Sequence, residues 1–214
     1  MRKYDNVIFD LDGTLLDTKA GIVSSLIDTA AYFSLSQIPE YDYNRFIGPP
    51  IEQSLCEYYK LDELQTKEMS AMFRKIYMEK YLFDAEPYEN ITDVLATLKN
   101  LGIQLAIATY KRYDYAEKVI KYFGLDKYCN PCIGSDSDTK ATKTAIIRAC
   151  ISEMKADILQ TVYIGDTEHD QIGAKGANID FIGVTYGFGY DKNNKLEYSV
   201  DTPEKIIEII LGGK

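Results

Sequence analysis

Apolar residues in most of the chain follow two alternating patterns. Short runs of consecutive apolar residues, typical of buried strands, alternate with longer segments whose apolar residues have the spacing of an amphipathic helix. The predicted strands are Val7–Phe9, Gln104–Thr109, Cys132–Gly134, Val162–Gly165 and Phe181–Val184. The predicted helices between them are Ile91–Asn100, Tyr115–Phe123, Thr144–Met154 and Gln171–Ala177, with a last helix opened by Pro203. This repetition predicts an α/β fold with a doubly wound parallel sheet.

One segment, from about Lys19 to about Glu86, departs from this alternation. It carries helix-like patterns and no convincing strand. The patterns are Gly21–Phe33, Ile51–Tyr59 and Glu63–Tyr81. Because the segment follows the first strand, it leaves from the carboxyl edge of the sheet, where ligands bind in open α/β sheets. We therefore predict a core of residues 1–18 and 87–214 with an inserted α-helical cap of residues 19–86.

The composition is that of an acidic globular protein. The 214 residues carry a formal net charge of -9, and an acidic surface repels the phosphate backbone of nucleic acids. We therefore expect no nucleic-acid partner. No segment has the length and apolar character of a membrane span or a signal peptide, so we also expect a cytoplasmic protein without a membrane partner. It is expected to be a monomer or a homodimer.

Cysteine and histidine usage argues against several other chemistries. Cys129 and Cys132 form a CxxC, but Cys56 and Cys150 are isolated, so a four-cysteine zinc site is not expected. A redox pair is not favoured either, because this CxxC precedes a strand instead of opening a helix. His169 is the single histidine, which argues against a histidine-rich metal site, and we expect it to be exposed. No GxxxxGK[ST] motif is present, so a P-loop enzyme is not expected.

Acidic and hydroxyl side chains follow three of the predicted strands. Asp10 and Asp12 come after the first strand, Thr109 ends the second, and Asp166 follows Val162–Gly165 with Asp170 four residues later. The ends of parallel strands meet at one edge of a sheet, so we expect these side chains to converge. Asp10 and Asp12 are two apart, which places both on the same side of an extended chain.

Clustered carboxylates repel each other unless a hard divalent cation lies among them, and Mg²⁺ is the natural candidate. With the metal bound, one carboxylate is free to attack an electrophile that the metal also holds. A phosphoryl group fits best, because it is anionic and a carboxylate can attack it to form an aspartyl phosphate. A cation is also needed to balance the charge. The candidates are Lys111, Arg112, Lys140 and Lys143, of which Lys143 opens a helix near the same edge.

Four motifs, in order over nearly the whole chain, resemble those of the haloacid dehalogenase superfamily. They are the DLDGT run at 10–14, Thr109, Lys143 and the GDTEHD run at 165–170. The helical insertion resembles the cap of the phosphoglycolate phosphatase-like branch. This resemblance implies a Rossmann-like core and a phosphatase.

The resemblance also implies a role for each motif residue. Asp10 is expected to be the nucleophile, and Asp12 the general acid for the leaving group and then the base for water. The implied phosphate-binding residues are Thr109, Tyr110 and Lys143. The implied ligands of Mg²⁺ are Asp10, Asp12 through its backbone carbonyl, Asp166 and Asp170.

The substrate expected from this resemblance is a small phosphorylated metabolite. Phosphoglycolate, a sugar phosphate, a nucleoside monophosphate and pyrophosphate all remain open, because Tyr110 and Thr167 depart from the residues that relatives often carry there. A phosphomutase or a pyrophosphatase of the same fold is an alternative. A non-enzymatic phospho-aspartate receiver is another, although receivers lack both an acid at the position of Asp12 and an inserted cap.

Overall fold

The computed structural model describes residues 3–135, 141–191, 193–194 and 196–213. The strands are β1 (Asn6–Phe9), β2 (Leu16–Asp17), β3 (Glu86–Pro87), β4 (Gln104–Arg112), β5 (Cys132–Ser135), β6 (Thr161–Gly165), β7 (Asp180–Val184) and β8 (Ser199–Val200). The α-helices are α1 (Lys19–Tyr32), α2 (Ile51–Tyr59), α3 (Glu63–Ile76), α4 (Ile91–Asn100), α5 (Tyr113–Tyr122), α6 (Lys143–Met154), α7 (Glu168–Ala177) and α8 (Glu204–Ile210). Short 3₁₀ helices occur at Glu40–Phe46, Leu125–Lys127 and Ile158–Gln160, and a π-helical turn at Tyr77–Tyr81 follows α3.

The main sheet has six strands in the order β5-β4-β1-β6-β7-β8. All of its pairings are parallel. The first strand lies in the middle, with Phe9 opposite both Ile107 of β4 and Ile164 of β6. The chain therefore adds strands first on one side of β1 and then on the other, which confirms the predicted doubly wound α/β fold.

Both faces of the sheet are buried, which explains the continuous apolar runs of its strands. Alternate residues of β1 point to opposite faces. Val7 and Phe9 pack in one apolar cluster with α4, α5 and α8. Ile8 packs in a second cluster with residues of α6 and α7. The helices thus cover the sheet from both sides and leave its carboxyl edge open for the site.

Three features of the sheet were not predicted. Leu16 and Asp17 of β2 pair antiparallel with Pro87 and Glu86 of β3, so a short two-stranded ribbon joins the two ends of the inserted segment. The fourth strand continues past Thr109 to Arg112, with a change of register on the way. The last strand, β8, extends the sheet by two residues. Strands of two residues, such as β2, β3 and β8, have too few positions to show a period in the sequence.

The inserted segment is helical, as the pattern predicts. Helix α3 packs against both α1 and α2. Its first turn is stabilised by a capping box in which Asp62 accepts from the amide of Gln65 and the Gln65 side chain accepts from the amide of Asp62. Apolar residues of these helices, such as Leu26 and Phe73, belong to the same cluster as the core strand β1. The insertion is therefore packed onto the core and not held by its two linkers alone.

The buried and half-buried positions of the cysteines explain their presence better than a redox or metal-binding role does. The thiols of Cys129 and Cys132 are free, and Cys129 is buried. Burial raises the pKa of Cys132 to about 12, so this thiol stays protonated near neutral pH. Within the described ranges, no helix is long and apolar enough to cross a lipid bilayer.

Candidate active site

Three carboxylates from two neighbouring strands converge at the carboxyl edge of the sheet. Asp10 directly follows β1 and Asp166 directly follows β6, the strand paired with it. Asp170 lies one turn further on, in α7. One oxygen of each carboxylate lies within 4.8 Å of an oxygen of the other two, and all three side chains are buried. The predicted convergence of these residues is therefore present in the structure.

A capping box explains the position of Asp170. Thr167 is the N-cap of α7, and its hydroxyl accepts a hydrogen bond from the amide of Asp170. In return, Asp170 Oδ2 accepts from the Thr167 amide at 3.0 Å and from its hydroxyl at 2.7 Å. The spacing of three residues between cap and carboxylate is what a capping box requires. The same turn that starts the helix thus aims the other oxygen of Asp170 at the carboxylate cluster.

A buried lysine joins two of these carboxylates. Lys143 is the first residue of α6, where Thr142 caps the helix by accepting from the amide of Ala145. Its Nζ lies 3.0 Å from Asp10 Oδ1 and 2.9 Å from Asp170 Oδ1. The side chain is only 2% exposed. Of the four candidate cations, Lys143 is therefore the one that reaches the carboxylate cluster, while Lys140 lies outside the described residues.

Tyr163 supports this ion pair from inside the sheet, and sequence reasoning did not identify it. Its hydroxyl donates to the carbonyl of Ala108 at 2.6 Å and accepts from Lys143 Nζ at 3.2 Å. The ring lies on the face of β6 opposite to Val162 and Ile164. A tyrosine within an otherwise aliphatic buried strand was the available signal, because a buried hydroxyl needs a partner.

The electrostatics of the cluster follow from three carboxylates sharing one ammonium. Burial raises the pKa of Asp10 to about 7 against the opposing effect of Lys143. Burial and the nearby charges of Asp170 and Asp10 hold the pKa of Asp166 well above its ordinary value. Burial alone would lower the pKa of Lys143, but Asp10 and Asp170 more than offset it, so the ammonium stays charged. Within the part of the chain that the structure describes, the carboxylates of the cluster therefore outnumber its cations.

Asp166 is the carboxylate that lacks a cation. Its Oδ2 accepts from the amide of Phe188 at 2.7 Å. Its Oδ1 is buried and has no hydrogen-bond partner among the described residues. An orphaned, buried carboxylate oxygen is costly unless another group occupies the space beside it. Gly13 leaves room there, because a Cβ at this position would lie 2.6 Å from Asp166 Cγ.

Asp12 forms an ion pair with a second lysine. Lys111 Nζ lies 2.9 Å from Asp12 Oδ1 and 3.1 Å from Oδ2. Sequence analysis named Lys111 only as one of several candidate cations. Thr109 and Lys111 are two apart, so a strand that continues past Thr109 places both on one side, and this was the missed signal. Burial lowers the pKa of Lys111, but Asp12 outweighs this effect and keeps the ammonium charged.

The remaining predicted residues surround the carboxylates. Thr109 is buried, and its hydroxyl accepts from the amide of Lys111 at 3.2 Å. The hydroxyl of Tyr110 accepts from the amide of Lys143 at 2.9 Å, which places its ring 4.9 Å from the ammonium. His169 was expected to be exposed, but it is half-buried, with its ring edge against Tyr110. Arg112 pairs with Asp114.

A cavity of about 690 Å³ lies between the inserted helices and the sheet edge. Asp12 and Lys111 form part of its wall on the core side, and Tyr77 lies on the wall from the inserted segment. The other lining residues are Ile22, Phe46, Gly48, Pro49, Pro50, Ile51, Glu52, Gln53, Phe73, Arg74, Tyr110, Arg112, Tyr115, Ser135, Ala141 and Thr142. The site thus has a buried carboxylate cluster and, beside Asp12, a chamber large enough for a small organic molecule.

Known proteins are similar to this chain in sequence and fold. A 5'-nucleotidase of Pseudomonas aeruginosa is 31% identical over 188 residues, which cover 87% of this chain and 85% of that protein. The pyrophosphatase PpaX of Halalkalibacterium halodurans is 30% identical over 213 residues, or 97% of each chain. The crystal structure of a predicted phosphatase from Clostridium acetobutylicum superposes with a TM-score of 0.91 at 34% identity, covering 97% of this chain and 98% of that one.

The first two of these relatives are named as enzymes that act on phosphate compounds, and the third as a predicted phosphatase. The sequence model of the haloacid dehalogenase-like hydrolases matches residues 7–184, which span the four motifs and the inserted helices. The chain therefore belongs to the haloacid dehalogenase-like hydrolases and is a hydrolase that acts on phosphate compounds.

Proposed function

We propose that the chain is a Mg²⁺-dependent phosphatase that hydrolyses a small phosphorylated metabolite through a phospho-aspartyl intermediate on Asp10. The observation that carries this proposal is the group of buried carboxylates of Asp10, Asp166 and Asp170, whose oxygens lie within 4.8 Å of one another. This group has a lysine on one side and Asp12, beside a cavity, on the other.

The residues of this group fit a divalent metal. The donors are carboxylate oxygens, which Mg²⁺ prefers. Among the described residues, Asp166 Oδ1 is buried without a hydrogen-bond partner and the carboxylates of the cluster outnumber its cations, so a cation beside Asp166 would satisfy both. We propose Asp10, Asp166 and Asp170 as the side chains that hold or surround the metal, together with the backbone carbonyl of Asp12. Bound Mg²⁺ would neutralise the phosphoryl oxygens and so let a carboxylate approach phosphorus.

The first chemical step uses the side chains of Asp10 and Asp12. An Asp10 oxygen attacks phosphorus, and the bond from phosphorus to the leaving oxygen breaks as Asp12 gives that oxygen a proton. Lys143 lies against Asp10 and balances negative charge on the nucleophile and the phosphoryl group. Thr109 and Tyr110, at the same edge, are proposed to contact the phosphoryl oxygens.

The second step returns the enzyme to its starting state. Asp12 takes a proton from water, and the resulting hydroxide attacks phosphorus and breaks its bond to Asp10. Inorganic phosphate leaves, Asp10 is again a carboxylate, and Asp12 again carries the proton that it gave to the leaving oxygen in the first step. A general acid that then acts as a base in this way must lie beside the leaving group, which is consistent with the place of Asp12 on the cavity wall.

We further propose that residues 19–86 act as a specificity cap. Their helices supply one wall of the cavity, so any substrate larger than inorganic phosphate contacts them. Similarity to a 5'-nucleotidase and to a pyrophosphatase supports a phosphorylated metabolite in general and does not choose among phosphoglycolate, a sugar phosphate, a nucleoside monophosphate and pyrophosphate.

The test is a screen of phosphorylated metabolites in which released inorganic phosphate is measured with Mg²⁺ and again after chelation. Phosphate release should require Mg²⁺ and should be absent in Asp10→Asn, because an amide is too weak a nucleophile to replace the carboxylate. Full activity after exhaustive chelation, or in Asp10→Asn, would refute the proposed mechanism. A folded Asp10→Asn protein, checked by circular dichroism, is the control for lost structure.

A further inference from the structure

Lys111 lies beside Asp12 on the wall of the cavity. Its side chain is 5% exposed, and its Nζ contacts both oxygens of Asp12, at 2.9 Å and 3.1 Å. The ring of Tyr77, which comes from the inserted segment, lies 4.9 Å from the ammonium. All three residues line the cavity. The ammonium is therefore desolvated by both parts of the molecule and has the carboxylate of Asp12 as its counter-ion.

This ion pair conflicts with the proposed work of Asp12. Both Asp12 oxygens are occupied by Lys111, so the carboxylate must give up at least one of these contacts to exchange a proton with a leaving oxygen. A buried ammonium that loses its counter-ion is costly. A substrate that carries its own anionic group beyond the leaving oxygen would replace the lost contact, whereas an uncharged leaving portion would not.

The other described cations of the cavity wall are already paired with carboxylates that have no part in the chemistry. Arg112 binds Asp114 through two nitrogens, and Arg74 binds Glu52. Both of these pairs can stay intact when a substrate enters. Among the described lining residues, Lys111 is thus the cation whose partner the reaction itself engages.

We propose that Lys111 is a specificity-determining residue that binds a second anionic group, a carboxylate or a phosphate, on the leaving portion of the substrate. The inference rests on the proposed function and extends it by choosing among substrates. The portion that leaves phosphoglycolate or pyrophosphate is an anion. The portion that leaves a nucleoside monophosphate or a simple sugar phosphate is an uncharged alcohol. The first two are therefore favoured.

The experiment compares matched pairs of substrates by their kcat/KM values. The carboxylate arm pairs 2-phosphoglycolate with 2-hydroxyethyl phosphate, and the phosphate arm pairs pyrophosphate with methyl phosphate. The wild type should prefer the anionic member of at least one pair by about 10- to 100-fold, as one charge-assisted hydrogen bond allows. Because the anhydride bond of pyrophosphate is intrinsically more reactive than a methyl ester, the phosphate arm is judged by how far Lys111→Met reduces the preference. The arm whose preference falls identifies the group that Lys111 binds.

Three variants separate the role of Lys111 from that of the cavity in general. Lys111→Met should lose most of the preference, chiefly through slower turnover of the anionic substrate, and Lys111→Arg should retain part of it. Arg112→Met, in the same cavity wall, should keep the preference within about threefold, since its charge is already paired on the surface. If Lys111→Met lowers kcat/KM equally for both members of a pair, Lys111 acts only through Asp12, and the proposal is wrong.

Two further measurements keep the proposal testable if a variant fails to fold or if no substrate is turned over. A wild type that hydrolyses charged and uncharged members equally well would refute the role of Lys111 without any variant. Asp10→Asn, which cannot turn over, should bind 2-phosphoglycolate or pyrophosphate more tightly than its uncharged counterpart, measured by calorimetry. If the protein binds the anionic ligand selectively but the wild type hydrolyses nothing, the proposed phosphatase mechanism is wrong and the role of Lys111 is supported. If the wild type hydrolyses phosphate compounds without selectivity, the role of Lys111 is wrong and the phosphatase mechanism is supported.

Discussion

The backbone of Gly13 lies directly against the carboxylate of Asp166. A Cβ at residue 13 would lie 2.6 Å from Asp166 Cγ, well inside van der Waals contact. Gly13 also has a φ of 82°, a left-handed conformation that other residues adopt only at a cost. The turn after β1 thus needs glycine at residue 13 for two reasons. The backbone there is left-handed, and a side chain would collide with Asp166, a proposed metal ligand.

We therefore predict that Gly13→Ala lowers stability and also weakens activation by Mg²⁺. The backbone strain alone costs about 1–2 kcal/mol, which corresponds to a fall in Tm of about 2–8 °C for a chain of this size. The added methyl group should also displace Asp166, so more Mg²⁺ should be needed for half-maximal activity. Thermal melts and a titration of activity with Mg²⁺ measure the two effects separately.

Gly124→Ala is the matched control. Gly124 has a φ of 69°, and a Cβ there would approach only the flexible side chain of Lys127, away from the carboxylates. This variant should lose a similar amount of stability with no change in the Mg²⁺ concentration for half-maximal activity. A shifted Mg²⁺ requirement in Gly124→Ala would mean that lost stability, and not contact with Asp166, explains the effect at Gly13.

Asp166→Asn should stabilise the metal-free protein, although it should abolish activity. Asp166 Oδ1 is buried with no hydrogen-bond partner in the described ranges, and its charge adds to a cluster whose carboxylates already outnumber the described cations. An uncharged amide can still accept the hydrogen bond from the amide of Phe188, so removing the charge should add roughly 1–3 kcal/mol in the presence of a chelator. Wild type should gain stability when Mg²⁺ is added, and Asp166→Asn should gain little.

Asp170→Asn should instead destabilise the metal-free protein in the same experiment. Asp170 is paired with Lys143, and its other oxygen accepts two hydrogen bonds from Thr167. Breaking a buried ion pair from one side costs about 3–5 kcal/mol. Chemical denaturation of the two variants without metal should therefore shift the midpoints in opposite directions, and shifts of the same sign would contradict the charge distribution described above.

The stability of the metal-free protein should fall as the pH rises from about 4 to about 7. Burial raises the pKa of Asp10 to about 7 and holds that of Asp166 well above its ordinary value. In this window the folded state binds more protons than the unfolded state, so raising the pH favours unfolding. Urea denaturation with a chelator at several pH values measures this slope, which should flatten in Asp166→Asn. A rise in stability across the window would contradict it.

Much of the site was predictable because it depends on strand ends. A strand that ends at an acidic residue can be recognised in the sequence as an apolar run followed by that residue. A parallel sheet then brings the ends of such strands together at one edge. This argument places Asp10 and Asp166 side by side without any knowledge of side-chain packing. Lys143 was more difficult, because nothing local distinguishes a buried lysine from a solvated one.

The contacts that were missed depend on tertiary position. The pairing of Lys111 with Asp12 requires β4 to continue beyond Thr109, and a polar extension of that kind carries no apolar period. The ribbon between β2 and β3 joins pairs of residues that are far apart in sequence. His169 is half-buried and packs against Tyr110, a contact that the helical pattern around His169 does not show.

Asp10→Asn and Asp12→Asn should fail at different steps of the proposed reaction. Asp10→Asn removes the attacking oxygen, so no step occurs. Asp12→Asn keeps the nucleophile and removes the group that moves protons, a contribution that is typically worth about 10²–10⁴-fold. A leaving group such as p-nitrophenolate departs without protonation, so formation of the phospho-aspartate from p-nitrophenyl phosphate should partly survive in Asp12→Asn. Hydrolysis of that intermediate should not survive, because water still needs a base.

Asp12→Asn should therefore release a burst of about one equivalent of nitrophenol per enzyme and then slow sharply. The phosphoryl group should remain on the protein, as a mass increase on the peptide that contains Asp10. The substitution also removes the carboxylate partner of Lys111, so a melting curve must show that the variant is folded. Asp10→Asn, treated in parallel, should show neither burst nor adduct. Steady, near-normal turnover by Asp12→Asn, without a burst or an adduct, would mean that Asp12 is not the acid and base of a two-step reaction.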